Sequence, residues 1–236
     1  MESHVFQRHE IKYLLDQRQR AIVEQAFRGR MLPDPHGEST ICNVYYDTPD
    51  YRLVRESLER PVYKEKLRMR SYGQVFPEEQ VFLELKKKYR GLVYKRRIEL
   101  AEDRASAYMD GAEPLPYYSQ IGREIDYVRS FYRELEAAVY LCYDRSAWYG
   151  AEDPNLRATF DQNIRWRRED MELTAAPGGE ALLSPQQSLF EIKTAGAIPL
   201  WLVEALERAG AQKASFSKYG EAYKVFRKER TGVYCA

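Results

Sequence analysis

The sequence predicts an α+β fold, a mainly antiparallel sheet of eight strands with helices packed against it. Three observations predict it. Eight segments rich in Tyr, Val, Ile, Phe and Thr show two-residue alternation. Stretches with apolar residues at helical spacing lie between them, without a regular β–α–β rhythm. One face of nearly every strand is basic, although the formal net charge of the 236-residue chain is only +1.

The strands are read at residues 5–13, 40–46, 62–71, 80–88, 92–100, 139–149, 156–166 and 188–194. The fourth and fifth form a hairpin, VFLELKKKYRGLVYKRRIEL, with Gly91 free to take a positive φ in its turn. Asp16 caps a helix running to Phe27, with Gln19 placed as in a capping box. A short helix follows Pro49, and segment 117–135 has helical spacing. PLWLVEALERAG opens with proline and closes with glycine, as helices do. SFSKYGEAYKVFRKE is a last helix from Ser215, and AAPGGEALLSPQQ is a loop. Without repeats or a linker, residues 1–236 make a single domain, a size that antiparallel barrels reach undivided.

Composition excludes several classes. An apolar fraction of 44% is ample for a core. Near-neutral charge argues against a surface that grips nucleic acid. Cys42, Cys142 and Cys235 lack CxxC spacing, so neither a disulfide framework nor a thiolate zinc site is expected. His4, His9 and His36 lack the spacing of a zinc enzyme, and His9 alternates with Glu10 onto the opposite face. No GxxxxGK[ST], GxGxxG or GxSxG occurs. There is no apolar signal core and no run near the ~20 residues that span a bilayer, so the expectation is a reduced, cytoplasmic chain without a membrane segment.

Residues two apart in a strand share a face. One face of YKEKLRMRS carries Lys64, Lys66, Arg68 and Arg70; VFLELKKK places Phe82, Glu84, Lys86 and Lys88 together; LVYKRRIEL places Val93, Lys95, Arg97 and Glu99 together. The first strand groups Arg8, Glu10 and Lys12. Arg145 stands beside Tyr143, and Arg157, Thr159, Asp161, Asn163 and Arg165 align, as do Glu191 and Lys193. A sheet packed on one side shows this alternation with its charges simply in water. Against that reading, aligning these strands sets like charges side by side, which destabilises a sheet unless an anion is present. Arginine's planar fork suits phosphate. If the sheet closes with this face inward, it encloses a focused positive field suited to an extended polyanion. Glu10, Glu84, Glu99, Asp161 and Glu191 on that face could balance lysines or hold Mg²⁺ or Mn²⁺.

EIKY, YYDTPDYRLVRESLERPVYKEKLRMRSYG, VFLELKKKYRGLVYKRRIEL, RATFDQN, LFEIKTAG and SFSKYGEAY resemble, in order, the VTC domain, the catalytic domain of the vacuolar transporter chaperone complex. That family belongs to the triphosphate tunnel metalloenzymes, related to CYTH domains. The resemblance implies an eight-stranded antiparallel β-barrel tunnel with flanking helices. It implies a metal-dependent polymerase that transfers the γ-phosphoryl group of ATP to a growing polyphosphate chain, with Mn²⁺ or Mg²⁺. By position it implies phosphate ligands and catalytic cations at Lys12, Arg68, Arg70, Lys86, Lys95, Arg145, Arg157 and Lys218. Ser217 matches a hydroxyl ligand and Glu191 the metal carboxylate, with Glu10 and Glu84 as further metal candidates; Arg97 and Lys193 share the basic faces as substrate contacts. The family has another phosphate arginine shortly before the Arg68 strand; this sequence aligns Ser57 there, with Arg55 and Arg60 nearby. ATP, polyphosphate, triphosphate or pyrophosphate are the expected ligands. The rivals are a tripolyphosphatase or nucleoside triphosphatase, and a non-catalytic polyphosphate sensor. RNA binding ranks below these, because the basic strands lack stacking motifs.

Overall fold

A computed structural model of the chain describes residues 9–59, 61–90 and 92–231. Residues 5–8 of the first expected strand, with Arg8, lie outside the described residues, as do His4, Arg60, Gly91 and Cys235.

Among the described residues nine strands form one antiparallel sheet: β1 (His9–Asp16), β2 (Met31–Asp47), β3 (Tyr63–Tyr72), β4 (Gln80–Tyr89), β5 (Leu92–Ala101), β6 (Glu136–Gly150), β7 (Arg157–Arg167), β8 (Glu180–Ala181) and β9 (Gln187–Thr194). Their order is β1-β9-β7-β6-β2-β3-β4-β5, with β8 paired to β7. The eight long strands match the eight expected segments. The two-residue β8 falls inside the expected loop.

The sheet curls but does not close. β1 and β5 are the ends of its order. A reason lies at β1, whose second edge is taken by the chain near residue 213: Tyr13 bridges Lys213, and the Ala214 amide donates to the Lys12 carbonyl at 2.8 Å. The expected antiparallel barrel tunnel is thus formed by a sheet that curls without closing. Its gap is spanned by a side-chain contact, Lys86 Nζ to Glu10 Oε2 at 3.7 Å.

Six helices, α1 (Gln17–Phe27), α2 (Arg52–Leu58), α3 (Glu102–Met109), α4 (Gln120–Tyr132), α5 (Leu200–Ala209) and α6 (Lys218–Thr231), cover this sheet. The Asp16 carboxylate accepts from the Gln19 amide at 2.7 Å and the Gln19 side chain accepts from the Asp16 amide at 3.0 Å, the expected capping box. α5 follows Pro199 and ends at Gly210 with φ 65°. α4 is shorter than its expected 117–135, because Ser119 caps it, accepting from the Gly122 amide at 2.9 Å. α6 starts at Lys218 rather than Ser215, and α3 had no counterpart in the sequence reading.

Burial divides the molecule into three apolar clusters. α3 and α4 pack Ala105, Tyr108, Ile125 and Val128 onto Leu83, Leu85, Ile98 and Leu100, the convex faces of β4 and β5. α1 and α5 cover Tyr13, Leu15, Phe160, Phe190 and Ile192. The third cluster lies on the concave side, where α6 sets Tyr219, Ala222 and Tyr223 against Tyr45, Leu141, Tyr143 and Leu189. Deleting a side chain such as Leu83 costs about 2–5 kcal/mol, so each outer layer fixes the opposite, charged face of its strands. Trp148 and Trp201 meet Phe27 in the α1/α5 layer, and Trp166 lies in the α6 cluster.

The β6–β7 ladder carries a bulge. Cys142 opposes Arg165 while Asp144 opposes Gln162, and Asn163 takes φ 49°. The extra residue reverses the faces, so Ile164 and Trp166 join the concave cluster. The expected alignment of Asn163 and Arg165 with Arg157 is thereby broken.

Candidate functional site

The concave face gathers its charges into two linked clusters. In the first, Glu191 on β9 is touched by three ammonium groups: Lys12 at 3.2 Å, Lys193 at 3.4 Å and Lys218 at 3.5 Å. Next to it, fully buried Asp161 on β7 takes a bidentate fork from Arg145 at 2.6 and 2.8 Å and the Lys218 ammonium at 2.5 Å. Lys12 also reaches Glu10 at 3.1 Å and the Phe216 carbonyl at 3.0 Å. In the second cluster, Glu84 on β4 takes Arg68 Nε and Nη2 on one oxygen at 2.8 and 2.7 Å and Lys95 on the other at 2.6 Å, with Arg70 at 3.8 Å. Asn43 accepts from Arg70 at 2.9 Å, and Tyr45 accepts from Arg68 at 2.8 Å. Lys66 joins the clusters by donating to Ser217 Oγ at 3.0 Å, one residue before Lys218.

These contacts put nine cations, namely Lys12, Lys66, Arg68, Arg70, Lys86, Lys95, Arg145, Lys193 and Lys218, against four carboxylates, Glu10, Glu84, Asp161 and Glu191. The excess is positive and mostly out of water. Burial pushes the Lys66 ammonium down to about 8, against the pull of Tyr45. Lys95 also falls to about 8, where burial outweighs its bond to Glu84. Burial alone would raise the Tyr45 phenol, yet Arg68, Lys66 and Arg70 bring it down to about 8. Burial would raise the acids too, but Lys86 and Lys12 hold Glu10 at about 2. Lys218, Lys193 and Lys12 hold Glu191 well below the usual range, and Arg68, Arg70 and Lys95 do the same for Glu84. Burial would raise Asp161 as well, but Lys218 and Arg145 hold it below its ordinary value, so all four acids are anionic at neutral pH and the cation excess remains.

Most residues expected from sequence meet here. Arg157 stands apart, half-exposed and paired with Asp34 at 3.4 Å. Lys86 is half-exposed and touches Glu10. Arg97 lies over the Phe82 ring, its guanidinium carbon 4.3 Å from the centroid. Near the position of the missing arginine, the Ser57 carbonyl accepts from Lys64 at 3.0 Å. Arg55 is tied to Asp50 on the outer side of α2. Asn43 and Tyr45 escaped the sequence reading, because ICNVYYD looks like an ordinary strand; only the register, Asn43 opposite Arg70 and Tyr45 opposite Arg68, brings them to the site.

Among the described residues no group of three or more His, Cys, Asp or Glu converges as a metal cage. The oxygen donors that exist still suit a hard divalent ion. Among the described residues Glu191 is held by single lysine contacts, and Glu10 shares Lys12 with it. Thr159, the cross-strand partner of Glu191, has a buried hydroxyl with no hydrogen-bond partner among the described residues. Mg²⁺ is commonly held by one or two carboxylates plus phosphate oxygens. Glu84 fits less well, being clamped by Arg68 and Lys95.

A family model described as "VTC domain" matches residues 7–227. Among solved structures, the chain is similar to a candidate adenylate cyclase from Bacillus halodurans, with 14% identity over 89% of this chain and 95% of that one and a TM-score of 0.51. A candidate adenylate cyclase from Vibrio parahaemolyticus aligns at 10% identity over 94% of this chain and 99% of that one, with a TM-score of 0.46. Comparison with curated proteins finds no match. No helix among the described residues is long and apolar enough to cross a membrane.

Proposed function

The chain belongs to the VTC domain family, and from that premise we propose that it is a metal-dependent polyphosphate polymerase, transferring the γ-phosphoryl group of ATP to a polyphosphate chain held in the tunnel. The observation that carries this reading is the excess of cations over carboxylates on the largely buried concave face of a curled sheet. Such a face repels itself until a polyanion enters.

Phosphoryl transfer asks of a protein mainly positioning and charge stabilisation. Arg68 and Arg70, anchored by Glu84, Tyr45 and Asn43, would orient a phosphate through their remaining N–H donors. Lys12, Lys193 and Lys218 make single contacts at 3.2–3.5 Å to Glu191. Entering phosphates compete for those ammonium groups and free the Glu191 carboxylate, which with Glu10 and the Thr159 hydroxyl would hold Mn²⁺ or Mg²⁺. When bound, such an ion would spread the charge that develops on the transferring phosphoryl group. Arg145, kept in place by Asp161, points a third guanidinium at the same region.

The test is product analysis after incubation with ATP and Mn²⁺ or Mg²⁺. Long polyphosphate chains with ADP are expected. Orthophosphate without chains would make the protein a hydrolase on the same scaffold. Tight binding without turnover under either metal would make it a sensor.

A further inference from the structure

We propose that Tyr72, Phe82 and Arg97 form a stacking site for the nucleobase of a nucleoside triphosphate, at the tunnel mouth beside Arg70. The inference rests on the phosphate-tunnel reading and adds the nucleoside end of the substrate.

Tyr72 continues the face of Lys66, Arg68 and Arg70 on β3. Phe82 is the cross-strand partner of Arg70 and shares the face of Glu84. The Tyr72 and Phe82 rings meet edge to face, with centroids 5.7 Å apart and planes at 83°. Arg97, two residues from Lys95 on the same face, lies 4.3 Å over Phe82. Two residues along a strand advance about 7 Å, so Tyr72 stands one step past Arg70, while Phe82 is level with Arg70 and Arg97 with Arg68. A ribose fills such a step between the last phosphate and its base.

Two features separate the platform from ordinary core. Tyr72 is 55% exposed although its row runs into the buried site. Arg97 spends its guanidinium on a ring, whereas Arg68, two positions away across the ladder, grips a carboxylate. The exposed Tyr72 ring and the planar Arg97 cation laid on Phe82 can stack on any base, because every base presents a π face. The site therefore selects nucleotides over inorganic phosphate chains, with little preference among bases.

The experiment is calorimetric titration of the full chain with ATP, GTP and inorganic tripolyphosphate, for the wild type, Phe82→Leu and Tyr72→Ser. Tyr72 is exposed enough that its replacement leaves the fold intact, and circular dichroism checks both variants. The expected result is ATP and GTP binding weakened on the order of tenfold in each variant, with tripolyphosphate binding changed less than twofold. Equal changes for ATP and tripolyphosphate, or none for either, overturn the stacking site while leaving the phosphate tunnel standing. Wild-type protein that fails to bind tripolyphosphate overturns the tunnel reading and this inference with it.

Discussion

The two ionic clusters of the tunnel are built on opposite plans. Around Glu191 and Asp161 the cations are mostly lysines, and they are shared: Lys218 touches both acids, and Lys12 touches Glu191 and Glu10. Around Glu84 they are mainly arginines, and Glu84 is the one carboxylate that Arg68, Arg70 and Lys95 contact among the described residues. Lysine is a rotatable point charge, while arginine presents a rigid fork. On the proposed reading, the shared lysine cluster would rearrange around a substrate and a metal. The arginine cluster is a fixed grip whose acid serves to hold it.

The comparison breaks most readily at its two acids. Glu191→Gln should lower metal-dependent ATP turnover by about 10²–10³-fold, the usual cost of removing one charge-stabilising group. Its fold should persist, because Lys12 and Lys218 keep Glu10 and Asp161 as partners. Steady-state kinetics with a thermal melt checks both halves. Glu84→Gln should act mainly on stability. It strands Arg68 and Lys95 without a carboxylate and should cost about 3 kcal/mol, read by denaturant unfolding and largely restored by tripolyphosphate. If the two variants behave alike, the division between a mobile and a fixed cluster is wrong.

Arg68→Lys sharpens the grip side. It keeps the charge and loses the fork, so tripolyphosphate affinity should fall about tenfold, measured by calorimetry. Lys193→Arg, in the lysine cluster, should change affinity little.

A smaller effect is the pH trend. Lys66, Lys95 and Tyr45 all have folded values near 8, below their ordinary ones. Between pH 8 and 10 the unfolded chain holds protons that the folded chain has released, so the ligand-free protein should gain stability as pH rises. Above about pH 10 buried Tyr46, Tyr140 and Tyr219, whose phenols burial raises, reverse the trend. Tripolyphosphate binding should run the other way and weaken above pH 8, as the lysines discharge. Melting curves across pH, with and without tripolyphosphate, show whether the two trends cross.

Strand alternation exposed most of this site in the sequence. Lys64 through Arg70, Glu84 with Lys86, Lys95 with Arg97, and Glu191 with Lys193 all keep the two-residue rhythm, because the opposite face of each strand packs mainly apolar residues. What it missed depends on non-local geometry. The bulge at Asn163 reverses the end of β7 and takes Arg165 out of line, and nothing in RATFDQNIRW signals it. Asn43 and Tyr45 become site residues only through their register with β3. The early part of β2, with Pro33, Pro35 and Gly37, did not read as a strand, yet Met31 to Pro33 pair with β6 before an irregular stretch that places Asp34 beside Arg157. Alternation also could not say whether the curled sheet closes, since that is decided by the chain near residue 213 beside β1.

The central claim is that the concave face is a polyanion site and not solvated surface, and thermal unfolding in low salt tests it most directly. With tripolyphosphate at ~100 times its dissociation constant, linkage gives about 2.7 kcal/mol, which for a chain of this length raises the melting temperature by about 5–10 °C. Orthophosphate at the same concentration should shift it far less, because it engages fewer cations, and added salt should erode the difference. Equal and negligible shifts from tripolyphosphate and orthophosphate would contradict the account.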